Sequence, residues 1–408
     1  MLYVIVLAGL ISVLLLLEKN LTNGSKTPLY LVVVPLFVVI VLHLLFGSFL
    51  GYSTLRVETI QIIMEGVLVF ALLSVPGVVF ITCICKKSQL KIRKKEELQK
   101  PELWLIVTAF FVLSFLAVRL YSIGLETFFT EEGDDASVEF GGGGLSAHFL
   151  VLCIFISTVL ITRKFTITSV CVLILSLLCL FLYQVKIWLF SPFIIGLIMR
   201  SDMGHKISIL KLLLFGIGAI MLFVVAYIPV LGFSLDNLEF LMPHFCKYLF
   251  SGVAGFNEIL FNHLPTGQSP YYGMPGALNN ILGIENHIDS RYLNGVYISS
   301  LNYEETNVYT LFGMTYLFNG QFAGFIYLAG VALISTYFFL LKYKTRCYYW
   351  YNLSYYFWGL GLLLSFFGNY YALLNIYELS LLALIIGFVS RHLPSTNKWK
   401  PNTHIIIS

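Results

Sequence analysis

FTITSVCVLILSLLCLFLYQVKIWLFSPFIIGLIM, residues 165–199, runs for 35 residues with Lys186 as its one charged side chain. At about 1.5 Å per residue, a single helix of that length far exceeds the roughly 30 Å core of a bilayer. Basic residues close both ends: Arg163 and Lys164 before it, Arg200 and Lys206 after it. Segments rich in Lys and Arg stay on the cytoplasmic side, so the stretch crosses an even number of times. It reads as two spans with a turn near 184–186. Lys186 then falls at the membrane boundary, where an ionisable side chain is a functional candidate.

The same texture extends over the whole chain. Of 408 residues, 58% are hydrophobic and 11% charged, against about 25% charged in soluble domains. Apolar runs approaching 20 residues recur from end to end. This is the pattern of an all-α polytopic membrane protein. A β-barrel would instead alternate apolar and polar residues in strands of about ten. The reading gives about eleven transmembrane helices, within a range of ten to twelve. They are 2–17, 29–50, 66–85, 103–118, 145–161, the pair inside 165–199, 209–231, 321–341, 347–367 and 377–390. No basic segment precedes the first, so it reads as a retained span rather than a signal peptide.

Charge sets the orientation. The loop 86–102 is the one strongly basic segment and marks the cytoplasmic side. In the eleven-span arrangement 20 of the 25 lysines and arginines lie on that side. The N-terminus is outside and the C-terminus inside. The outer side holds five cations: Arg56, Arg119, Lys186, Lys247 and Arg291. Its loop 120–144 is acidic and glycine-rich, and reads as a solvated loop without the ligand order of an EF-hand. Cys246 is the one cysteine of the long outer loop, so no structural disulfide is expected. No Cys/His pair has zinc spacing, and no phosphate-binding glycine motif or nucleophile elbow occurs. Neither a metal nor a cofactor is expected.

Residues 232–310 form the longest stretch too polar for lipid. Asp236 and Glu239 have capping-box spacing. Leu238, Leu241, Phe245, Tyr248, Leu249, Phe256 and Leu260 then recur at helical spacing, with Pro243 as an expected kink. This predicts an amphipathic helix, either lying on the outer leaflet as the roof of a cavity or packed on the bundle for stability. Residues 266–280, rich in Gly, Pro and Tyr, read as irregular and mobile. Their tyrosines suit either sugar stacking or the membrane interface. Arg56 and Lys247 read as charge balance or helix anchors. Arg119 and Lys186 end spans that face the same side, and Arg291 sits mid-loop. A guanidinium fork suits a diphosphate.

Glu304-Glu305-Thr306-Asn307-Val308-Tyr309-Thr310-Leu311-Phe312, followed by residues 316–324 (YLFNGQFAG), resembles a stretch of the Wzy-type O-antigen polymerases. There a T-N-x-Y-T-like sequence leads through a short helix to a glycine-containing turn. Here the turn reads N-G-Q-F-A-G in place of the usual aspartate-containing form. The layout is also similar: about 400 residues, many spans, and a large outer loop in the second half. The resemblance implies a glycosyltransferase at the periplasmic face of the bacterial inner membrane. Its substrates would be oligosaccharide repeat units on undecaprenyl diphosphate, with a chain-length regulator as a possible protein partner and no nucleic acid. On that reading Arg119, Lys186 and Arg291 stabilise the leaving diphosphate and meet beneath the outer stretch. Glu304, Glu305 and His244 are candidates for the base that takes the acceptor proton. Asn307, Tyr309 and Asn319 either orient sugars or cap and pack. Three rival readings stay open: an O-antigen ligase that transfers glycan to lipid A core, a polysaccharide flippase or transporter, and a non-catalytic assembly partner.

Overall fold

A computed structural model of the chain describes residues 2–22, 24–84, 99–129, 133–141, 144–205, 208, 216–218, 221, 224, 235–261, 266–267, 269, 272–284, 295–300, 305–344 and 349–392. In chain order the helices are α1 (Leu2–Leu21), α2 (Pro28–Phe46), α3 (Val57–Ile84), α4 (Leu103–Ile123), α5 (Gly133–Gly141), α6 (Gly144–Thr162), α7 (Ile167–Leu182) and α8 (Lys186–Asp202). Next come α9 (Leu235–Phe261) and α10 (Gly276–Leu282). A two-residue antiparallel pair follows, β1 (Val296–Tyr297) with β2 (Glu305–Thr306). Then α11 (Leu311–Met314) passes through a π turn into α12 (Gly320–Lys344), and α13 (Tyr349–Leu363) and α14 (Leu374–His392) close the chain.

This is a helical membrane protein. Among the described residues, seven helices are long and apolar enough to cross a bilayer: α1, α2, α3, α4, α6, the run Leu311–Tyr343 through α12, and α14. α7, α8 and α13 are shorter, at 16, 17 and 15 residues. α1 and α4 leave large apolar side chains exposed, among them Ile5, Val13, Phe110 and Val118. Such a surface is what hydrocarbon, rather than water, accommodates.

The long apolar stretch folds as a hairpin. α7 stops at Leu182, α8 starts at Lys186, and Gln184 between them adopts a left-handed φ of 60°. The span expected at 66–85 begins nine residues earlier, at Val57. Its first turns carry Glu58, Gln61 and Glu65, too polar to count as membrane-spanning. A long-range contact supports them: Asn257 Oδ1, on α9, accepts from the Arg56 amide at 2.9 Å and from Thr59 Oγ1 at 2.8 Å. The span expected at 209–231 lies largely outside the described residues.

Helix ends sort into two groups. At one end Lys26 donates to Ser201 (3.3 Å), Tyr355 donates to the Lys26 carbonyl (2.8 Å), and Lys342 pairs with Asp202 (3.1 Å). Arg163 pairs with Glu102 at that same end, and its carbonyl accepts from Arg200 (3.2 Å). This end carries the basic flanks. The opposite end is assembled from α9, β1–β2, the residues before α3 and the turn between α13 and α14. There Ser300 N donates to Gly51 O (3.0 Å), Thr310 N to Gly252 O (3.1 Å) and Leu311 N to Ser365 O (2.8 Å).

α9 differs from a helix lying on a leaflet. Residues 250–257 are buried on every side of the helix. Two glycines make that possible. A Cβ on Gly252 would strike the Phe366 carbonyl, and one on Gly255 would lie 2.6 Å from the Val308 carbonyl. The backbones of the 308–310 stretch and the 366–367 turn therefore lie directly on the helix. Of the two placements its pattern allowed, this half of α9 takes the packed one. The capping pair expected at Asp236 and Glu239 lies outside the described side chains.

Candidate functional site

The turn between α13 and α14, residues 364–372, is the hub of the end opposite the basic flanks. α9 lies on it through Gly252. The stretch before α11 crosses it: Leu311 N bonds Ser365 O, and Gly368 faces Val308. α8 reaches it through Trp188, whose ring meets Tyr370 edge-on at 6.0 Å. Met314 also touches it, its sulfur 3.2 Å from Asn369 N and 3.5 Å from the Tyr272 hydroxyl.

The threonines of the T-N-x-Y-T-like stretch fix its shape. Thr306 Oγ1 accepts from Val308 N (3.1 Å), and Thr310 caps α11 by accepting from Gly313 N (2.9 Å). Tyr309 between them is fully buried, its ring facing Phe318 at 6.5 Å and lying close to Gly255. Asn307 is exposed. Asn319, at the end of the π turn, is buried and donates to Tyr272 O (3.0 Å) and Ser269 O (3.4 Å). The Gly/Pro/Tyr-rich segment is thereby held against α11 and α12, and part of it forms α10. Burial pushes the Tyr272 hydroxyl up to about 12.

Of the three base candidates, Glu304 lies outside the described residues. Glu305 is exposed on β2 and hydrogen-bonds Tyr297 of β1, which raises the tyrosine above its ordinary value. His244 is half-buried on α9. Its ring meets Tyr248 edge-on at 5.4 Å, and Tyr248 in turn lies parallel to Phe367 of the hub at 6.1 Å.

Arg119 and Lys186 come to a common neighbour, the segment 125–141. Arg119, at the end of α4, binds Glu139 of α5 through its carboxylate (3.2 Å) and its carbonyl (3.2 Å). Lys186 and Gln184 line a crevice with Phe128, Phe129 and Leu189. The crevice has a volume of about 20 Å³, room for about one water and none for a sugar. α5 sits on the α7–α8 turn: Ser137 donates to Tyr183 O (2.7 Å), and Gly141 faces the Tyr183 ring. The segment read as a solvated loop is thus partly helical and packed. Arg291, the third cation, lies outside the described residues. Arg56 stacks on Phe261 of α9 (4.1 Å).

The family model for DUF6337, a family of unknown function, matches residues 51–396. The chain belongs to this family. The DUF6337 match covers α3 through α14, so every candidate residue above lies inside it and α1 and α2 lie outside. No curated protein and no solved structure matches the chain.

Sequence reading missed Asn257 and the hub aromatics Phe367, Tyr370 and Trp188. Asn257 and Glu258 interrupt an otherwise largely apolar run, SGVAGFNEILF. A polar side chain there must find partners, but they lie about 200 positions away.

Proposed function

We propose that this DUF6337 protein polymerises polyprenyl-diphosphate-linked oligosaccharide repeat units on the membrane face opposite its basic loops. The supporting observation is that the polymerase-like stretch 305–319 packs at that end, against α9 and the hub, and that Arg119 and Lys186 both meet the segment 125–141. In the reaction, a hydroxyl oxygen of one repeat unit forms a bond to the anomeric carbon of the other chain. The bond from that carbon to the diphosphate oxygen breaks, and the diphosphate leaves with the electron pair. The hydroxyl proton passes to a base, for which His244 is the best-placed described candidate because it stands beside the hub. Arg119 and Lys186 offset the charge that gathers on the diphosphate. The reaction draws its energy from the diphosphate linkage, in keeping with a sequence that carries no nucleotide-binding motif.

Deleting the gene and resolving surface glycolipid on a gel tests this reading. Core bearing a single repeat unit is the expected product. Core alone would instead favour a ligase or flippase, and unchanged long chains would sink the proposal. In the same assay Arg119→Ala is expected to cut polymer formation on the order of 10²-fold, the scale of losing one charge-stabilising donor. Arg119→Lys, which keeps the charge, should lose less. Wild-type chains from Arg119→Ala at normal protein level would remove this residue from the site.

A further inference from the structure

A histidine–glutamate pair faces outward from the bundle. His148 Nδ1 lies 2.7 Å from Glu378 Oε1 and joins α6 to α14. Both helices are long and apolar enough to cross a bilayer. Both start at the end opposite the basic flanks, at Gly144 and Leu374. Each residue stands four places in, about 6 Å along its helix, a depth comparable with the headgroup layer of a bilayer. The side chains are 53% and 25% exposed. His148 Nε2 and the second Glu378 oxygen have no hydrogen-bond partner among the described residues. The surface around them is apolar. Leu145 is exposed one turn before His148, and on α14 Leu374, Leu381, Ile385 and Phe388 form an exposed stripe through Glu378. Hydrocarbon solvates neither member of such a pair. The Lys342–Asp202 pair, which ties helices together at the other end, is buried instead.

We infer that His148 and Glu378 bind the headgroup of a zwitterionic phospholipid with a primary ammonium, of the phosphoethanolamine type. That headgroup carries a phosphate and an ammonium a few bonds apart, and the pair offers a carboxylate and an imidazole side by side. The open Glu378 oxygen accepts a charge-assisted hydrogen bond from the ammonium. At Nε2 an imidazolium donates to the phosphate, and a neutral ring accepts from the ammonium. The acyl chains run inward along the stripe from Leu381 to Phe388. Two other headgroups match less well. Phosphoglycerol has no cation for Glu378, and the methyl groups of phosphocholine leave its cation without an N–H to donate. The inference stands apart from the polymerase reading and needs none of its chemistry.

The test is a lipid competition on the full-length protein, purified in detergent and held on a resin. It is offered equal amounts of phosphatidylethanolamine, phosphatidylglycerol and phosphatidylcholine with the same acyl chains, together with a polyprenyl diphosphate. Lipid retained after washing is measured by mass spectrometry. Phosphatidylethanolamine is expected to be enriched about tenfold over the other two phospholipids, the scale of one charge-assisted hydrogen bond. Glu378→Gln keeps the shape and removes the charge, and is expected to retain the three phospholipids equally. An exposed ion pair adds little to stability, so this variant should accumulate normally. Equal retention of the phospholipids by the wild type, or a preference for phosphatidylglycerol or the polyprenyl diphosphate, overturns the inference. So does an undiminished ethanolamine preference in Glu378→Gln. Should that variant fail to accumulate, His148→Gln takes its place, with a fall in retained phosphatidylethanolamine expected and unchanged retention overturning the inference.

Discussion

Lys342→Met is expected to lower stability by about 3–5 kcal/mol, the cost of stranding one partner of a buried ion pair. The Lys342 side chain is 3% exposed and Asp202 is 12% exposed, with 3.1 Å between Nζ and the carboxylate. Nζ also donates to the Tyr356 hydroxyl (2.6 Å) and lies over the rings of Tyr355 (4.7 Å) and Tyr356 (4.4 Å). The ammonium is thus fully engaged. Methionine fills its volume and offers Asp202 nothing. The pair ties the end of α12 to the end of α8, beside the Lys26–Ser201 contact that brings in the α1–α2 turn. Thermal unfolding of the purified protein in detergent measures the effect. Lys342→Met/Asp202→Leu should recover most of the loss, because two apolar residues replace a buried pair at little cost. An unchanged midpoint in the single variant, or no recovery in the double, would contradict this account.

Asn257→Ala is the second large effect, about 2–4 kcal/mol. Besides accepting from Arg56 N and Thr59 Oγ1, its Nδ2 donates to Ser53 Oγ (3.1 Å) and Thr54 O (3.3 Å). At 2% exposure it spends both ends of its amide on the chain entering α3. Alanine would leave the start of α3 without its cap and free α9 from the chain that enters α3. Amide hydrogen exchange should rise across residues 55–60 and 250–257 together. Faster exchange in the first segment alone would mean that Asn257 caps α3 without holding α9.

Much of the helical bundle was legible because lipid imposes a length and forbids charge. The 165–199 hairpin follows from those two constraints, and its turn falls at the expected residues. Where polar residues intrude, that logic stops short. Residues 57–65 read as a loop because Glu58, Gln61 and Glu65 are not lipid-like, yet Asn257 holds their first turn and Tyr3 of α1 donates to Glu65 (3.3 Å). The same limit applied to α9. Its spacing showed a helix, but glycines at 252 and 255 gave no local sign that two backbones would press against it. The candidate site was legible as a set of residue types and not as a surface. Arg119 stood out because cations are rare on its side of the membrane. Phe367, Tyr370 and Trp188 did not, because aromatics are common in this chain, 16% of it, and only the fold puts these three in one row.

The central claim is that the end opposite the basic loops joins repeat units. The most direct test is the purified full-length protein in proteoliposomes, supplied with polyprenyl-diphosphate-linked repeat units and no nucleotide. The account predicts glycans of two and more repeats together with released polyprenyl diphosphate, and little of either from Arg119→Ala. Units that remain single, with no diphosphate released from active wild-type protein, would contradict it.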